Sequence, residues 1–134
     1  MTVQGAYRIG KDPATGVKGS IAARIAAVAQ TAADDAPAVD MEARFPRAAI
    51  NAVRENCLLS LMVPQDLGGE SAALTDIADA CYQLGQACSA TAMIFAMHHS
   101  AAACVIRHAG ASAWHRDLLR QVADKQLLFA SSNH

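Results

Sequence analysis

Two adjacent histidines, His98 and His99, are the residues of this chain best suited by type to chemistry. Imidazole titrates near neutral pH, so it can transfer protons or bind metals. On a helix, adjacent side chains point about 100° apart, so at most one of the two faces a given pocket and the pair cannot chelate one metal ion. A histidine on an apolar helix is more often a hydrogen-bonded core residue, so a catalytic and a structural role are both open.

A metal centre finds little support among the residues that could ligate one. Cys104 and His108 are four positions apart and would share one face of a helix. Two ligands do not make a zinc site and no third is evident in the sequence, so we expect no bound metal. The sequence also lacks the glycine-rich loops that hold nucleotide phosphates and the GxSxG turn of acyl-transfer enzymes.

Small and flexible side chains flank the histidines and share roughly one face of the helix that this segment predicts. They are Ala92, Met93, Ala96, Ser100 and Ala103. This surface has two interpretations. It leaves room for an acyl or aromatic ligand, or it lets a neighbouring helix pack closely.

Composition limits the partners of the chain. Hydrophobic residues make up 53% of the sequence and charged residues 17%, which is typical of helices buried on more than one side. Eleven basic and twelve acidic residues give a net charge of -1 without long blocks of either sign, so we expect no nucleic-acid partner and no membrane partner. The start of the sequence shows no secretory signal, which predicts a cytoplasmic protein, and the apolar composition favours a homo-oligomer.

The longest uncharged stretch, residues 88–106, approaches the length of a membrane span. Two histidines at the middle of a bilayer would be costly without partners. The stretch therefore predicts a fully buried helix at the centre of a globular core.

Apolar periodicity predicts an all-α fold, an antiparallel bundle of about five helices. A first helix begins after Ser20, which suits an N-cap, and ends near Pro37. Pro46 opens a second helix, which is followed by an extended segment over residues 58–63.

Three further helices complete the predicted bundle. The third covers about residues 74–88, and the fourth covers about residues 89–108 and ends at Gly110, which suits a C-terminal cap. Ser112 caps a fifth helix whose apolar stripe begins at Trp114.

The loop between the second and third helices is the most informative local sequence. Residues 63–69 read Val-Pro-Gln-Asp-Leu-Gly-Gly. Pro64 restricts the backbone, whereas Gly68 and Gly69 permit a tight turn in which we expect at least one positive φ. With four other segments, this loop resembles the N-terminal helical domain of the acyl-CoA dehydrogenase superfamily of flavoenzymes, over roughly residues 18–132. The four segments are Phe45-Pro46, Leu84-Gly85, Ser89-Ala90-Thr91-Ala92 and Leu127-Leu128-Phe129-Ala130-Ser131.

The resemblance implies an FAD-dependent oxidoreductase. In the complete family enzyme, a carboxylate base removes the proton α to a thioester carbonyl while a hydride passes from the β-carbon to flavin N5. This chain would supply walls of the cavity for an acyl-CoA or other small-molecule substrate, and Ser131 and Ser132 fall where the family begins to meet the flavin. The implied substrate-binding residues are Ala92, Met93, Ala96, Met97 and Ser100.

The resemblance also implies a domain organisation. Residues 1–17 predict a flexible N-terminal arm, residues 18–126 the helical domain, and residues 127–134, which begin with a short strand-like run, the start of a missing β-domain. In the family that β-domain and a C-terminal helical domain carry the base and most flavin contacts. We therefore expect the chain alone to be inactive and to retain no FAD.

Two alternative functions accompany this one. The flavin-dependent monooxygenase branch is similar in carrying a histidine near the reactive edge of the isoalloxazine, where typical dehydrogenases have none. That similarity makes His98 the candidate catalytic residue and a monooxygenase of the same fold the first alternative. The second alternative is a non-catalytic helical interaction module from a truncated gene.

Overall fold

The computed structural model describes residues 19–130, and these form five α-helices without a β-strand. The helices are α1 (Ile21–Glu42), α2 (Arg47–Glu55), α3 (Leu74–Ala87), α4 (Ser89–Ala109) and α5 (Ala113–Lys125). The predicted all-α bundle of about five helices is confirmed. The predicted arm, residues 1–17, and the predicted flavin contacts Ser131 and Ser132 lie outside the described residues.

Helix α1 begins where the sequence predicts and runs further. The Ser20 hydroxyl accepts a hydrogen bond from the Ala23 N–H at 3.1 Å, which confirms the N-cap. The prediction that the helix ends near Pro37 is wrong, because the proline lies inside a helix that continues to Glu42. Val39, beyond the proline, is buried in an apolar cluster. That burial offsets part of the cost of the hydrogen bond that proline cannot make.

The segment after α2 is compact rather than extended. Pro46 is the N-cap of α2, one position before the helix begins. The extended conformation predicted for residues 58–63 is wrong, because Leu58–Ser60 is a 3-10 helix entered through Cys57 at φ 55°. Leu58 and Leu59 are fully buried, and their apolar pattern alone does not separate a buried strand from a buried turn.

The loop over residues 63–69 has the shape that its glycines predict. Gly68 has φ 99° and ends a 3-10 turn, which confirms the expected positive φ. Gly69 is constrained differently, because a Cβ there would overlap the carbonyl oxygen of Val63. The same carbonyl accepts the N–H of Ser71 at 3.0 Å, so the loop folds back on itself.

Two apolar clusters form most of the core. The main cluster joins α1, α2, α3 and α4 to the 3-10 turn at residues 58–60. Its buried members are Ile21, Ile25, Val28, Val53, Leu58, Leu59, Leu61, Ile77, Ala80, Leu84 and Phe95. The second joins α5 to the end of α4 and to the loop, and its buried members are Val63, Leu67, Ala109, Leu119 and Val122. Trp114, predicted on the apolar stripe of α5, is 68% exposed, because α5 presents Leu119 and Val122 to the core instead.

Helix α4 has the predicted bounds to within one residue, with Gly110 as its C-cap. The prediction that it is fully buried is wrong. Phe95 and His98 are buried on one face, whereas Met93 is 63% exposed and Met97 53% exposed on another. By length and composition alone α4 is apolar enough to cross a membrane. Its buried His98 and His99 bind the backbone carbonyls of Leu59 and Leu58, as polar side chains of a core helix do.

Candidate functional site

The outer side of α4 carries most of the residues predicted to bind substrate. Met93, Met97 and Ser100 are exposed at spacings of four and three, so they share one surface, which we call the methionine face. Ala96 is half-buried beside it. Substrate binding by these residues stays a prediction, and their exposure leaves them free for a ligand.

Ala92, the fifth predicted substrate-binding residue, has a packing role. It is half-buried against the main core cluster, and a Cβ placed at Gly85 of α3 would meet the Ala92 Cβ at 3.8 Å. That distance is an ordinary van der Waals contact. For Ala92, therefore, the interpretation that small residues let helices pack closely is the one the geometry favours.

His98 lies on the inner side of α4 and is fully buried. Its Nε2 is 2.7 Å from the carbonyl oxygen of Leu59, and its Nδ1 accepts the N–H of Phe129 at 3.0 Å. The imidazole also stacks on the Phe129 ring, with centroids 5.3 Å apart and planes 23° apart. Catalysis by His98 stays a prediction, and the geometry favours a structural role, because both ring nitrogens are bonded to backbone.

Burial lowers the pKa of His98 below its usual value, and the hydrogen bond to Leu59 opposes that shift. The neutral imidazole is therefore the form that the core holds. A neutral ring with one N–H and one bare nitrogen matches its two backbone partners.

His99 is buried beside it and binds the neighbouring carbonyl. Its Nε2 donates to the Leu58 oxygen at 3.0 Å, and its Nδ1 has no hydrogen-bond partner among residues 19–130. Burial, with a smaller contribution from His98, lowers the pKa of His99 to about 3 against the opposing effect of the Leu58 bond. The two histidines thus hold successive carbonyls of one 3-10 turn.

Gln126 completes this network and was not identified from the sequence. It is the C-cap of α5, with φ 49°, and its side chain is buried. Its Oε1 accepts the Leu59 N–H at 3.0 Å, and its Nε2 donates to the Ser60 hydroxyl at 2.8 Å. No local pattern marks a glutamine whose partners lie more than 60 positions earlier in the chain. We call His98, His99 and Gln126, gathered around residues 58–60, the polar hub.

A buried ion pair was also missed by sequence reasoning. Arg24 of α1 is 5% exposed and forms a bidentate pair with Glu70, at 2.6 and 2.9 Å. It also donates to the carbonyl of Asn56 at 2.9 Å, so one guanidinium joins α1 to both ends of the segment between α2 and α3. Since Arg24 follows three residues after the start of an amphipathic helix, nothing in the sequence distinguishes it from a solvated arginine.

The described residues offer apolar contacts rather than a phosphate site. Between residues 19 and 130 no group of three His, Cys, Asp or Glu side chains could hold a metal, and Cys104 and His108 are both exposed. The methionine face presents two thioethers and one hydroxyl and carries no charged side chain. It has neither a cation nor free backbone N–H groups for the pyrophosphate of FAD, because α4 carries no charge before Arg107.

A family model described as "Acyl-CoA dehydrogenase, N-terminal domain" matches residues 20–126. The chain belongs to this family. The match begins at the N-cap of α1 and ends at Gln126, so it contains all five described helices and the three side chains of the polar hub. Comparisons with curated proteins and with solved structures give no match.

As an acyl-CoA dehydrogenase N-terminal domain, the chain comes from a family of oxidoreductases that generally use FAD. The family implies an acyl-CoA substrate and further domains in the complete enzyme. The acyl-CoA dehydrogenase resemblance drawn from residues 63–69 and the four other segments is therefore confirmed.

Proposed function

We propose that the chain is the substrate-cavity domain of an FAD-dependent acyl-CoA dehydrogenase-like oxidoreductase, which catalyses α,β-dehydrogenation of an acyl thioester in the complete enzyme. Family membership supports the class of reaction. The observation that carries the cavity role is the methionine face. It is an exposed and uncharged surface on α4, where a solvated helix would place charged residues.

Within this proposal the residues of α4 bind and shield the substrate rather than transfer protons. In the complete enzyme a bound FAD would supply the acceptor for the hydride that leaves the β-carbon. Met93 and Met97 contact the acyl chain, because flexible thioethers adapt to ligands of varied shape. Ser100, one turn further on, places a hydroxyl at the end of this apolar surface. The base and most flavin contacts come from the β-domain and the C-terminal helical domain.

His98 has no part in this chemistry. The monooxygenase alternative depends on an imidazole that can reach a flavin–oxygen adduct, and both nitrogens of His98 bind backbone groups of the bundle. No observation in the described residues therefore favours the monooxygenase over the dehydrogenase.

The test uses the complete polypeptide, with its β-domain and C-terminal domain, loaded with FAD. Anaerobic addition of an acyl-CoA should bleach the flavin absorbance, because the hydride reduces the ring. Met97→Glu should raise KM for the acyl-CoA about tenfold or more, since a carboxylate is costly to desolvate in an apolar cavity. Met41→Glu is the matched control, because Met41 is 86% exposed on α1 and should leave KM unchanged.

Two results would contradict the proposal. One is a flavin that no acyl-CoA reduces but that reacts with oxygen after reduction by NADH, which is the behaviour of a monooxygenase. The other is an equal change in KM for the two methionine variants. The 134-residue chain alone should carry no stoichiometric flavin after gel filtration, so a flavin band in its absorption spectrum would count against the division of roles between domains.

A further inference from the structure

We propose that His98 is a positioning residue that fixes the path of residues 127–130 against the bundle, acting through the backbone N–H of Phe129. Any contribution of this positioning to catalysis rests on the proposed function. The hydrogen bonds of His98 do not depend on that function, because both of its partners lie within the described residues.

The two backbone partners of His98 are one hydrogen-bond acceptor and one donor, and together they fix its tautomer. A carbonyl oxygen can only accept, so the Nε2 that lies 2.7 Å from the Leu59 oxygen must carry the proton. A backbone N–H can only donate, so the Nδ1 that lies 3.0 Å from the Phe129 nitrogen must be bare. One neutral tautomer satisfies both partners at once, and neither the other tautomer nor the imidazolium does.

The segment held in this way has few other constraints. Residues 126–130 belong to no helix, so their backbone groups have no helical partners. Leu127 and Phe129 pack against the second core cluster and Leu128 against the main one. These apolar contacts are non-directional, whereas the bond from the Phe129 N–H to His98 fixes one residue of the segment in a defined register.

The same turn of α4 carries the methionine face on its outer side. Met97 precedes His98 directly, so the exposed thioether and the bond to Phe129 are fixed to one rigid helix. Residues 131 and 132, predicted to meet the flavin, follow two and three positions after Phe129. His98 therefore fixes the position of Phe129 relative to the methionine face.

Two near-isosteric variants separate the two hydrogen bonds. The amide nitrogen of a glutamine reaches about the position of Nε2, so His98→Gln keeps a donor for Leu59 and loses the acceptor for Phe129. The amide oxygen of an asparagine reaches about the position of Nδ1, so His98→Asn keeps the acceptor and loses the donor. Both variants remove the titrating ring, so they differ mainly in which backbone hydrogen bond they keep, the one to Leu59 or the one to Phe129.

The measurement is amide hydrogen exchange by NMR on the 134-residue chain, with the Ile25 and Val53 amides as references for global opening. In His98→Gln the Phe129 amide should exchange about tenfold faster or more relative to those references. In His98→Asn its relative exchange should stay close to that of the wild type. The Leu59 amide, bonded to Gln126, should keep its relative protection in both variants.

A second measurement, on the wild type, does not depend on the variants folding. The imidazole ¹⁵N shifts of His98 should report a bare Nδ1 and a protonated Nε2 at neutral pH. A protonated Nδ1, or an equal loss of Phe129 protection in the two variants, would overturn the positioning role. Neither measurement involves flavin or acyl-CoA, so failure of the proposed function would show only in the flavin and KM experiments, and failure of this inference only here.

Discussion

Removing the imidazole of His98 would leave the buried Leu59 carbonyl and the half-buried Phe129 N–H without their partner. An orphaned buried polar group costs about 1–3 kcal/mol, so we expect His98→Ala to lower the free energy of unfolding by about 3 kcal/mol or more. His108→Ala is the matched control, because His108 is exposed on the same helix and should change stability little. Chemical denaturation of both variants measures the difference.

The same variant decides between the two roles of His98 in the complete enzyme. A catalytic His98 would give near-normal stability with turnover lowered on the order of 10²-fold, the usual range for lost acid–base assistance. A structural His98 gives the reverse pattern, with lowered stability and turnover close to normal in the molecules that remain folded. The bonds to Leu59 and Phe129 lead us to expect the second pattern.

Three glycines should respond to alanine in three different ways. Gly69→Ala places a Cβ against the backbone of Val63 and should destabilise the domain most, because backbone cannot yield as a side chain can. Gly68→Ala imposes a side chain at φ 99° and should cost about 1 kcal/mol or more. Gly85→Ala, inside α3 with room for a Cβ, should stabilise by about 0.5–1 kcal/mol.

Thermal melts of the three alanine variants check this order. Equal melting temperatures for Gly68→Ala, Gly69→Ala and the wild type would show that the loop over residues 63–69 is merely flexible. A destabilised Gly85→Ala would show instead that α3 and α4 approach more closely at that glycine than the structure indicates.

Sequence reasoning at the scale of single residues succeeded where the cause is local. Ser20 and Ser112 cap helices because their hydroxyls reach backbone N–H groups three positions away. Gly68 takes a positive φ for an equally local reason. The partners that His98 and Gln126 find outside their own helices lie 31 to 67 positions away, and no spacing rule reaches that far. The sequence could therefore name His98 as unusual without saying what it binds.

Between elements, the ion pair of Arg24 and Glu70 ties α1 to the segment that precedes α3. Breaking a buried pair leaves one charge uncompensated, which costs about 3–5 kcal/mol in comparable sites. We expect Arg24→Met to destabilise the domain within or just below that range, because Glu70 is 16% exposed. The double variant Arg24→Met/Glu70→Met should recover most of the loss, since no charge then remains buried.

The exposed pair of Arg44 and Asp35 provides the control for that double-mutant cycle. Its guanidinium is 37% exposed, so Arg44→Met should change the free energy of unfolding little. Urea unfolding of Arg24→Met, Glu70→Met, their double variant, Arg44→Met and the wild type measures the coupling. Equal losses for Arg24→Met and Arg44→Met would show that burial adds nothing to the first pair.

Apolar periodicity located the five helices well, because each buries a stripe that repeats with the helical period. It failed where tertiary packing overrides a local signal. Pro37 is a strong stop signal, yet α1 continues because Val39 finds a buried position beyond it. Residues 58–63 carry an apolar run, yet Leu58–Ser60 forms a 3-10 helix. The histidines of the polar hub bind the carbonyls of Leu58 and Leu59, which a strand would have paired with a neighbouring strand.

For the molecule as a whole, the buried histidines make stability depend on pH. The pKa of His99 falls from 6.5 to about 3 on folding, so between these values the unfolded chain binds a proton that the folded chain does not. The contribution of His99 is therefore fully present above pH 6.5 and is lost as pH falls toward 3, by up to about 1.4 kcal/mol per pH unit. The lowered pKa of His98 acts in the same direction.

His99→Gln isolates this effect from the carboxylates that titrate in the same range. Its side chain keeps a donor near Leu58 and cannot titrate, so the free energy of unfolding should vary less steeply between pH 6 and pH 4 than in the wild type. Urea denaturation across that range gives both slopes. Identical slopes would mean that His99 titrates equally in the folded and unfolded chains.

The polar hub also imposes an order of assembly on a chain emerging from a ribosome. Residues 58–60 receive their hydrogen bonds from positions 98, 99 and 126, so this early turn cannot be completed until α5 and its C-cap have been synthesised. Closing such long loops costs entropy before the late contacts repay it, which slows folding. Helices α1 to α3 therefore emerge before their late hydrogen-bond partners exist. The domain folds as a unit once residue 129 has left the exit tunnel.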